Sequence, residues 1–254
     1  MKGGKSIIIQ ARTGSKRFLN KVLINIENKP MICHVIDRVK KALSVDQIIL
    51  ATSNNPDDQI LLKIADDENI IGFVGEEEDV LGRFYHAALE YNADPIIRVT
   101  ADCPLIDPSL IDKMIKFYDE EDYDYISNTI ERTFPDGLDI EIFSFAILEK
   151  THMQAKWKSE REHVTPYMVK NQNLFKVFNY KNEHDLSNLR WCVDQKLDLD
   201  MIERIFQEMK PKVFFSTDDV LRLLSKKPEI SKINSQIKTN QGYIESLKND
   251  QMIK

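Results

Sequence analysis

Cysteine, glycine and proline are scarce in this chain, and long apolar runs are missing altogether. Three cysteines, Cys33, Cys103 and Cys192, stand far apart. That pattern fits neither a disulfide framework nor the CxxC spacing of a zinc site. Only 8 glycines and 9 prolines occur in 254 residues, which excludes collagen-like and low-complexity chains and points to long regular elements. The longest apolar runs are quartets such as Ile48-Ile49-Leu50-Ala51, whereas a membrane span needs about 20 residues. A secretory core needs about 7–15, so Ile7-Ile8-Ile9 behind Met1-Lys2-Gly3-Gly4-Lys5 is not expected to be a signal peptide. The expectation is a soluble, cytoplasmic protein with no membrane partner.

An apolar share of 42% excludes global disorder, and 254 residues suffice for one large α/β domain. The balance of 35 basic against 41 acidic residues gives a net charge of −6, which argues against a nucleic-acid partner. The charge is uneven. Lys2, Lys5, Arg12, Lys16, Arg17 and Lys21 crowd the first 21 residues without one carboxylate. Two readings stand, a solvated basic terminus or a site for a small anionic ligand. Seven carboxylates between Asp66 and Asp79 read as a solvated face and loop.

Hydrophobic periodicity orders the rest. Ser6–Gln10 is a short buried-type strand, followed by a polar loop over 11–20. Pro30 opens a helix with Met31, Ile32, Val35, Ile36, Val39 and Leu43 on one face. Strand Gln47–Ala51, a helix with Ile60, Leu61, Ile64 and Ala65, and strand Ile71–Val74 follow. A helix with Val80, Phe84, Ala87, Ala88 and Tyr91, strand Pro95–Thr100 and a helix opened by Pro108 complete 120 residues of alternation. Such alternation predicts an α/β fold with a doubly wound, mostly parallel sheet. In the middle third Leu138, Ile140 and Ile142 alternate with Asp139 and Glu141, predicting a small, half-exposed antiparallel extension. Trp191-Cys192-Val193 reads as another strand and Leu199–Met209 as a helix, with a polar, weakly helical tail over 226–254. No repeat or linker is visible, so one domain is expected.

Ligands of open α/β sheets bind beyond the carboxyl ends of the strands. The loop Gln10-Ala11-Arg12-Thr13-Gly14-Ser15-Lys16-Arg17 follows the first strand with three cations and backbone N–H groups, suiting a polyphosphate. It is neither a GxxxxGK[ST] loop nor GxGxxG. Asp102 follows the Pro95–Thr100 strand, and alone it reads as a turn residue. Asp194 follows Trp191-Cys192-Val193 in the same manner. Two strand-end aspartates beside a cationic loop form a candidate Mg²⁺ site for a nucleoside triphosphate, since Mg²⁺ takes one or two carboxylates plus phosphate oxygens.

Six ordered blocks, IIIQARTGSKRFLNKVL, DVLGRFYHAA, IIRVTADCPLIDPSLID, PDGLDIEIFSF, EREHVTPY and RWCVDQKLDLDMI, resemble the SpsF-type cytidylyltransferases of spore-coat polysaccharide synthesis, relatives of the CMP-sialic acid and CMP-KDO synthetases. The resemblance runs over nearly the whole chain, including the NQGYIESLK tail. It implies a Rossmann-like nucleotide-diphospho-sugar transferase fold and transfer of CMP from CTP to a small anionic acceptor, with Mg²⁺ as cofactor and a homodimer. It also implies a catalytic domain over 1–225 with an acceptor and dimer extension over about 123–190. Arg12, Ser15, Arg17 and Lys21 match the triphosphate loop A-R-x-x-S-x-R-x-x-x-K. Ala11 and Arg83 match positions at the base, with Thr100 and Ala101 alongside. Asp102 and Asp194 match the metal aspartates. Asp136, Asp139 and Glu141, with Glu160, Arg161 and His163, lie in blocks that face the acceptor in the closer family. Departures are Gln10 and Leu19 where proline is usual, and Gln195-Lys196 where sialic acid synthetases carry a further carboxylate.

The expected enzyme is thus a Mg²⁺-dependent cytidylyltransferase with Arg12, Lys21, Asp102 and Asp194 as its catalytic set. A glycosyltransferase using a ready-made nucleotide sugar is disfavoured because Ala101-Asp102-Cys103 is not DxD. A non-catalytic nucleotide-binding subunit is disfavoured by the intact cations and aspartates. His34, His86, His152 and His184 lack metal-ligand spacing, and Cys103 reads as a small buried hydrophobe.

Overall fold

The computed structural model describes residues 3–14 and 18–253. Its central sheet begins with β1 (Gly4–Gln10), whose Ile7, Ile8 and Ile9 are wholly buried. A strand covered on both faces reads as a continuous apolar run. Ile7 and Ile9 join one core cluster and Ile8 the other, as the period of two requires. A small hairpin, β2 (Asn25–Ile26) and β3 (Lys29–Pro30), leads into α1 (Met31–Val39). Then come β4 (Gln47–Ser53), α2 (Gln59–Asp67), β5 (Ile71–Gly75), α3 (Val80–Glu90), β6 (Ala93–Thr100) and α4 (Pro108–Glu120). Side-chain caps start the helices where the sequence carries them: Asp79 Oδ1 accepts from Gly82 N–H at 2.9 Å, and Asp107 Oδ1 from Ser109 N–H at 2.9 Å.

The strands after β6 are short: β7 (Tyr125–Ser127), β8 (Glu141–Phe143) and β9 (Val177–Asn179). Sheet order is β5-β4-β1-β6-β8-β7-β9. The first four strands run parallel, and β8 pairs antiparallel with both β6 and β7. From β1 the chain winds outward through β4 to β5, then crosses to β6 on the other side. The strand order therefore reverses between β1 and β6, where such folds open a ligand crevice. The sheet is a mostly parallel, Rossmann-like arrangement with helices on both faces, as expected.

Helices α5 (Phe145–Gln154), α6 (Lys158–His163) and α7 (Pro166–Lys170) lie between β8 and β9, and α8 (Lys196–Met209) follows. The tail folds as α9 (Thr217–Lys226), α10 (Pro228–Lys232) and α11 (Gln241–Lys248), and α11 packs on α6. Among the described residues no helix is long and apolar enough to cross a membrane.

Three local expectations are corrected. The 138–142 alternation is not half-exposed. Glu141, on the face expected to meet water, is buried and paired with Arg98, and β8 lies inside the sheet. Trp191-Cys192-Val193 is not a strand, because its N–H groups go to single carbonyls: Cys192 N–H to Asp136 O at 2.9 Å and Val193 N–H to Asp102 O at 2.9 Å. Leu43 lies beyond α1 and is exposed.

Candidate active site

A cleft of about 990 Å³ opens beyond the carboxyl ends of β1 and β6, at the strand-order reversal. Gln10, Ala11 and Arg12 line it from β1, and Thr100, Ala101 and Asp102 from β6. Gln10 and Thr100 are register partners, so the parallel pairing delivers both loops at one level.

Asp194 reaches this level through two stitches. Val193 N–H donates to the Asp102 carbonyl at 2.9 Å, and Trp191 and Cys192 N–H converge on the Asp136 carbonyl. The second stitch depends on Gly137, whose φ is +116° and whose absent Cβ would stand 2.6 Å from Cys192 N and from Trp191 C. Only glycine fits so close a crossing. The two aspartates then share one ammonium. Lys21 Nζ donates to Asp102 Oδ2 and to Asp194 Oδ1, both at 2.7 Å. Thr100 Oγ1 donates to Asp102 Oδ1 at 2.6 Å. Burial alone would raise the Asp102 carboxyl, but the Lys21 charge outweighs it and holds Asp102 below the usual carboxylate range. Burial works against the Lys21 ammonium too, yet the two carboxylates raise its pKa above the lysine norm.

The charges continue behind this pair. Arg190 donates through Nη1 to Asp136 Oδ2 at 2.7 Å, through Nε to Asp198 Oδ1 at 2.9 Å and through Nη2 to Asp194 Oδ2 at 3.2 Å. Arg132 grips Asp139 with both terminal nitrogens, at 2.5 and 2.9 Å, and lies 3.5 Å from Asp136. Burial, and after it the Asp139 charge, push the Asp136 carboxyl up to about 6. On the β8 side Glu141 pairs with Arg98 and accepts from Tyr125 Oη at 2.5 Å and Thr165 Oγ1 at 2.6 Å. Asp136, Asp198, Asp139 and Glu141 thus each face a guanidinium, which is the condition for keeping a buried carboxylate ionised.

The structure brings together most of the residues singled out from sequence. Ala11, Arg12, Lys21, Arg83, Thr100, Ala101, Asp102 and Asp194 all line the cleft, as do Asp136, Asp139, Glu141 and His163. Arg12 lies 3.6 Å from Glu77. Arg83 is buried, its Nη2 3.4 Å from the Glu77 carbonyl, and its Nε has no hydrogen-bond partner among the described residues. Burial, then the nearby Arg12 charge, lower the Arg83 pKa to about 10, leaving it a cation at neutral pH. Ser15 and Arg17 lie outside the described residues. Glu160 and Arg161 do not line the cleft. Glu160 is buried and accepts from the N–H groups of Lys156 and Trp157, at 3.2 Å each. Arg161 binds Asp79 in a fork, Nε to Oδ1 at 2.8 Å and Nη2 to Oδ2 at 2.5 Å. Both brace the wall behind the cleft.

Sequence reasoning overlooked several lining residues. Glu77 and Glu78 belong to the acidic stretch read as solvated, and Arg98, Arg132, Arg190, Tyr125 and Thr165 were not singled out. One signal was available: Arg190 stands four positions before Asp194, at ion-pair spacing. No site residue was singled out in the polar tail, yet Asn240, Gln241, Tyr243, Glu245, Ser246 and Asn249 line the far side of the cleft. It is tied down by Ser246 to Glu162, by Ser159 Oγ to Asp250 Oδ2 at 2.6 Å, and by Gln195 to Gln241 at 3.0 Å.

Among the described residues no group of three or more His, Cys, Asp or Glu side chains is placed to hold a metal ion. Two convergent carboxylates do match the donor set Mg²⁺ takes when substrate phosphates supply the remainder.

The cytidylyltransferase family profile matches residues 6–226. An uncharacterized protein of Methanocaldococcus jannaschii is 36% identical over 236 residues, covering 91% of this chain and 94% of its own. The spore coat polysaccharide biosynthesis protein SpsF of Bacillus subtilis is 29% identical over 231 residues, covering 87% of this chain and 94% of its own. A solved cytidylyltransferase from Leptospira borgpetersenii superposes with a TM-score of 0.85 at 33% identity, covering 91% of this chain and 97% of that one. With a profile that spans the sheet and both aspartates, and a solved relative sharing the architecture, the chain belongs to the cytidylyltransferase family.

Proposed function

We propose that the chain is a Mg²⁺-dependent cytidylyltransferase. It transfers CMP from CTP to a sugar acid or related phosphorylated acceptor, releasing pyrophosphate, for surface polysaccharide or glycoconjugate synthesis. The observation that carries this reading is the convergence of Asp102 and Asp194 on Lys21 at the strand-order reversal, beside a loop rich in cations. The proposed protein is cytoplasmic and homodimeric, as the resemblance implies, with one catalytic domain over 1–225 and its acceptor and dimer extension over about 123–190.

An acceptor oxygen forms a bond to the α-phosphorus while the bond to the β-phosphate bridging oxygen breaks, and pyrophosphate leaves with that electron pair. Catalysis of this kind rests on positioning and charge neutralisation. Asp102 and Asp194 hold the divalent cation, which when bound supplies positive charge at the reacting phosphate. Arg12, Ser15, Arg17 and Lys21 take the triphosphate. Arg83, with backbone at Ala11, Thr100 and Ala101, seats the cytosine. Asp136, Asp139, Glu141 and His163 face the acceptor, and Glu160 and Arg161 support that wall.

Thermal shift with Mg²⁺ and each of CTP, UTP, dTTP, ATP and GTP tests nucleotide choice. CTP is expected to surpass UTP by roughly ten- to a hundredfold in affinity, because a buried carbonyl left unpaired by uracil costs about 1–3 kcal/mol. Equal stabilisation by UTP or dTTP removes the cytidylyl reading. Pyrophosphate release from CTP, assayed with a panel of sugar acids, tests the reaction. Asp102→Asn and Asp194→Asn are each expected to lose roughly 10²–10³ in turnover while remaining folded. Near-normal turnover of either variant removes that residue from the metal role.

A further inference from the structure

Lys21 carries two assignments that one ammonium cannot fulfil together. As a triphosphate ligand it must face the outer phosphates, yet its Nζ lies 2.7 Å from both Asp102 Oδ2 and Asp194 Oδ1. The other two carboxylate oxygens accept from Thr100 and Arg190, so these two are the ones a shared divalent cation would take. We propose that Lys21 is a placeholder that keeps the divalent-cation site closed until the triphosphate arrives. Moving its ammonium onto the phosphates opens the site, so that metal and nucleotide bind as one unit. The inference rests on the reading of Asp102 and Asp194 as metal ligands, and it adds an order of events to it.

Geometry closes the site in two ways. An ammonium donating to an oxygen occupies a lone pair that the metal would use. A second positive charge a few ångströms away is also repelled, and weak screening in a partly buried site leaves that repulsion strong. The Lys21 side chain is only 12% exposed, against 24% and 22% for the two aspartates. Held by two carboxylates at 2.7 Å each, the ammonium is drawn away only by a competing anion.

The local fold lets the side chain travel while the backbone stays. Lys21 N–H donates to Phe18 O at 3.3 Å, its carbonyl accepts from Ile24 N–H at 3.2 Å, and neighbouring Val22 is buried. Rotation about the flexible four-carbon stem moves the charge without unfolding this turn. Arg12 lines the same cleft, so phosphates drawn there come within reach of the departing ammonium. The exchange keeps every charge paired: the ammonium moves from carboxylate to phosphate as a divalent cation replaces it.

Mn²⁺ retained by the protein in equilibrium dialysis, counted by electron paramagnetic resonance, tests the placeholder. Wild type is expected to retain Mn²⁺ strongly with CTP, and at least tenfold less with no nucleotide or with CMP, which lacks the outer phosphates. Lys21→Met keeps the length of the stem and removes the charge. It is expected to bind Mn²⁺ without nucleotide about tenfold more tightly than wild type, since charge-assisted hydrogen bonds no longer compete. Mn²⁺ alone is also expected to raise the Tm of this variant more than that of wild type, and adding Asp102→Asn is expected to abolish both gains. Retention by wild type that is equal with and without CTP overturns the placeholder while leaving the metal site standing. So does a Lys21→Met variant that binds no more tightly than wild type. Failure of both proteins to retain Mn²⁺ under every condition overturns the metal-ligand reading itself. Where Lys21→Met does not fold, the wild-type comparison of CTP with CMP decides.

Discussion

Replacing Gly137 by alanine tests the joint that carries Asp194 to Asp102. The new Cβ would stand 2.6 Å from Cys192 N and Trp191 C and 2.9 Å from Trp191 O, all of them backbone atoms. None of these can rotate aside as a side-chain end can. At φ +116° an alanine also pays a conformational cost of about 1–2 kcal/mol. Overpacking of a tight contact adds about 1–3 kcal/mol. Together these give roughly 2–5 kcal/mol of destabilisation, and about 2–4 °C per kcal/mol for a chain of this size places the fall in Tm at roughly 4–20 °C. Relief of the clash pushes 191–192 away from the 136–137 turn and carries Asp194 with it. A displacement of about 1 Å can cost a hundredfold in rate, so kcat/KM in a pyrophosphate-release assay is expected to fall roughly 10- to 100-fold at temperatures where the variant is folded. Gly4→Ala is the control, since its Cβ meets only ordinary contacts from 3.5 Å outward. A Gly137→Ala variant melting within about 2 °C of wild type with normal turnover refutes the reasoning.

Arg190→Met leaves Asp136 and Asp198 buried without their guanidinium, and breaking such a buried cluster costs about 3–5 kcal/mol; a loss below about 1 kcal/mol in urea unfolding counts against it. Asp79→Asn keeps a cap on α3 but loses the charge that meets Arg161. Burial would raise the Asp79 carboxyl, but the Arg161 pairing prevails and lowers it, so its stabilisation is complete above the unfolded value near 3.9 and is lost as pH falls through the lower folded value. The stability gap between wild type and variant, about 1–2 kcal/mol after allowance for partial exposure, is therefore expected in urea unfolding at neutral pH and should close below about pH 4; a gap that persists unchanged at pH 3 contradicts the pairing. Arg83→Met is expected to weaken CTP and CMP alike, about tenfold, whereas Arg12→Ala should weaken CTP far more than CMP. Calorimetry showing the reverse pattern would exchange the two assignments.

The parallel half of the sheet was legible because it is built from local signals. The isoleucine triplet of β1, the Gln47–Ala51 run and the Pro95–Thr100 run each announce a strand, and the helical spacings between them require crossovers. Asp102 was legible for the same reason, sitting just past a strand end. The second half is held by long-range pairs that leave no local pattern. Arg98 meets Glu141 across 43 residues, and Trp191-Cys192-Val193 is buried by carbonyls 56 and 91 positions away rather than by a partner strand. The acidic stretch is solvated as read, with Asp66, Asp67, Glu76 and Glu78 exposed and Glu68, Glu77 and Asp79 half-buried, but the sequence does not show that Glu77 and Asp79 also meet the distant Arg12 and Arg161.

Helix α11 turns Tyr243 and Ser246 toward the cleft while Ile244 and Leu247 remain exposed, an inversion of the usual amphipathic arrangement. It also lies beyond residue 226, where the family profile ends. The cleft is thus assembled from two separate stretches of chain, a floor from the sheet and a far wall from the tail. It also means that the chain leaving α11 still lines the cleft at Gln251, so a substitution or truncation there is read at the site itself.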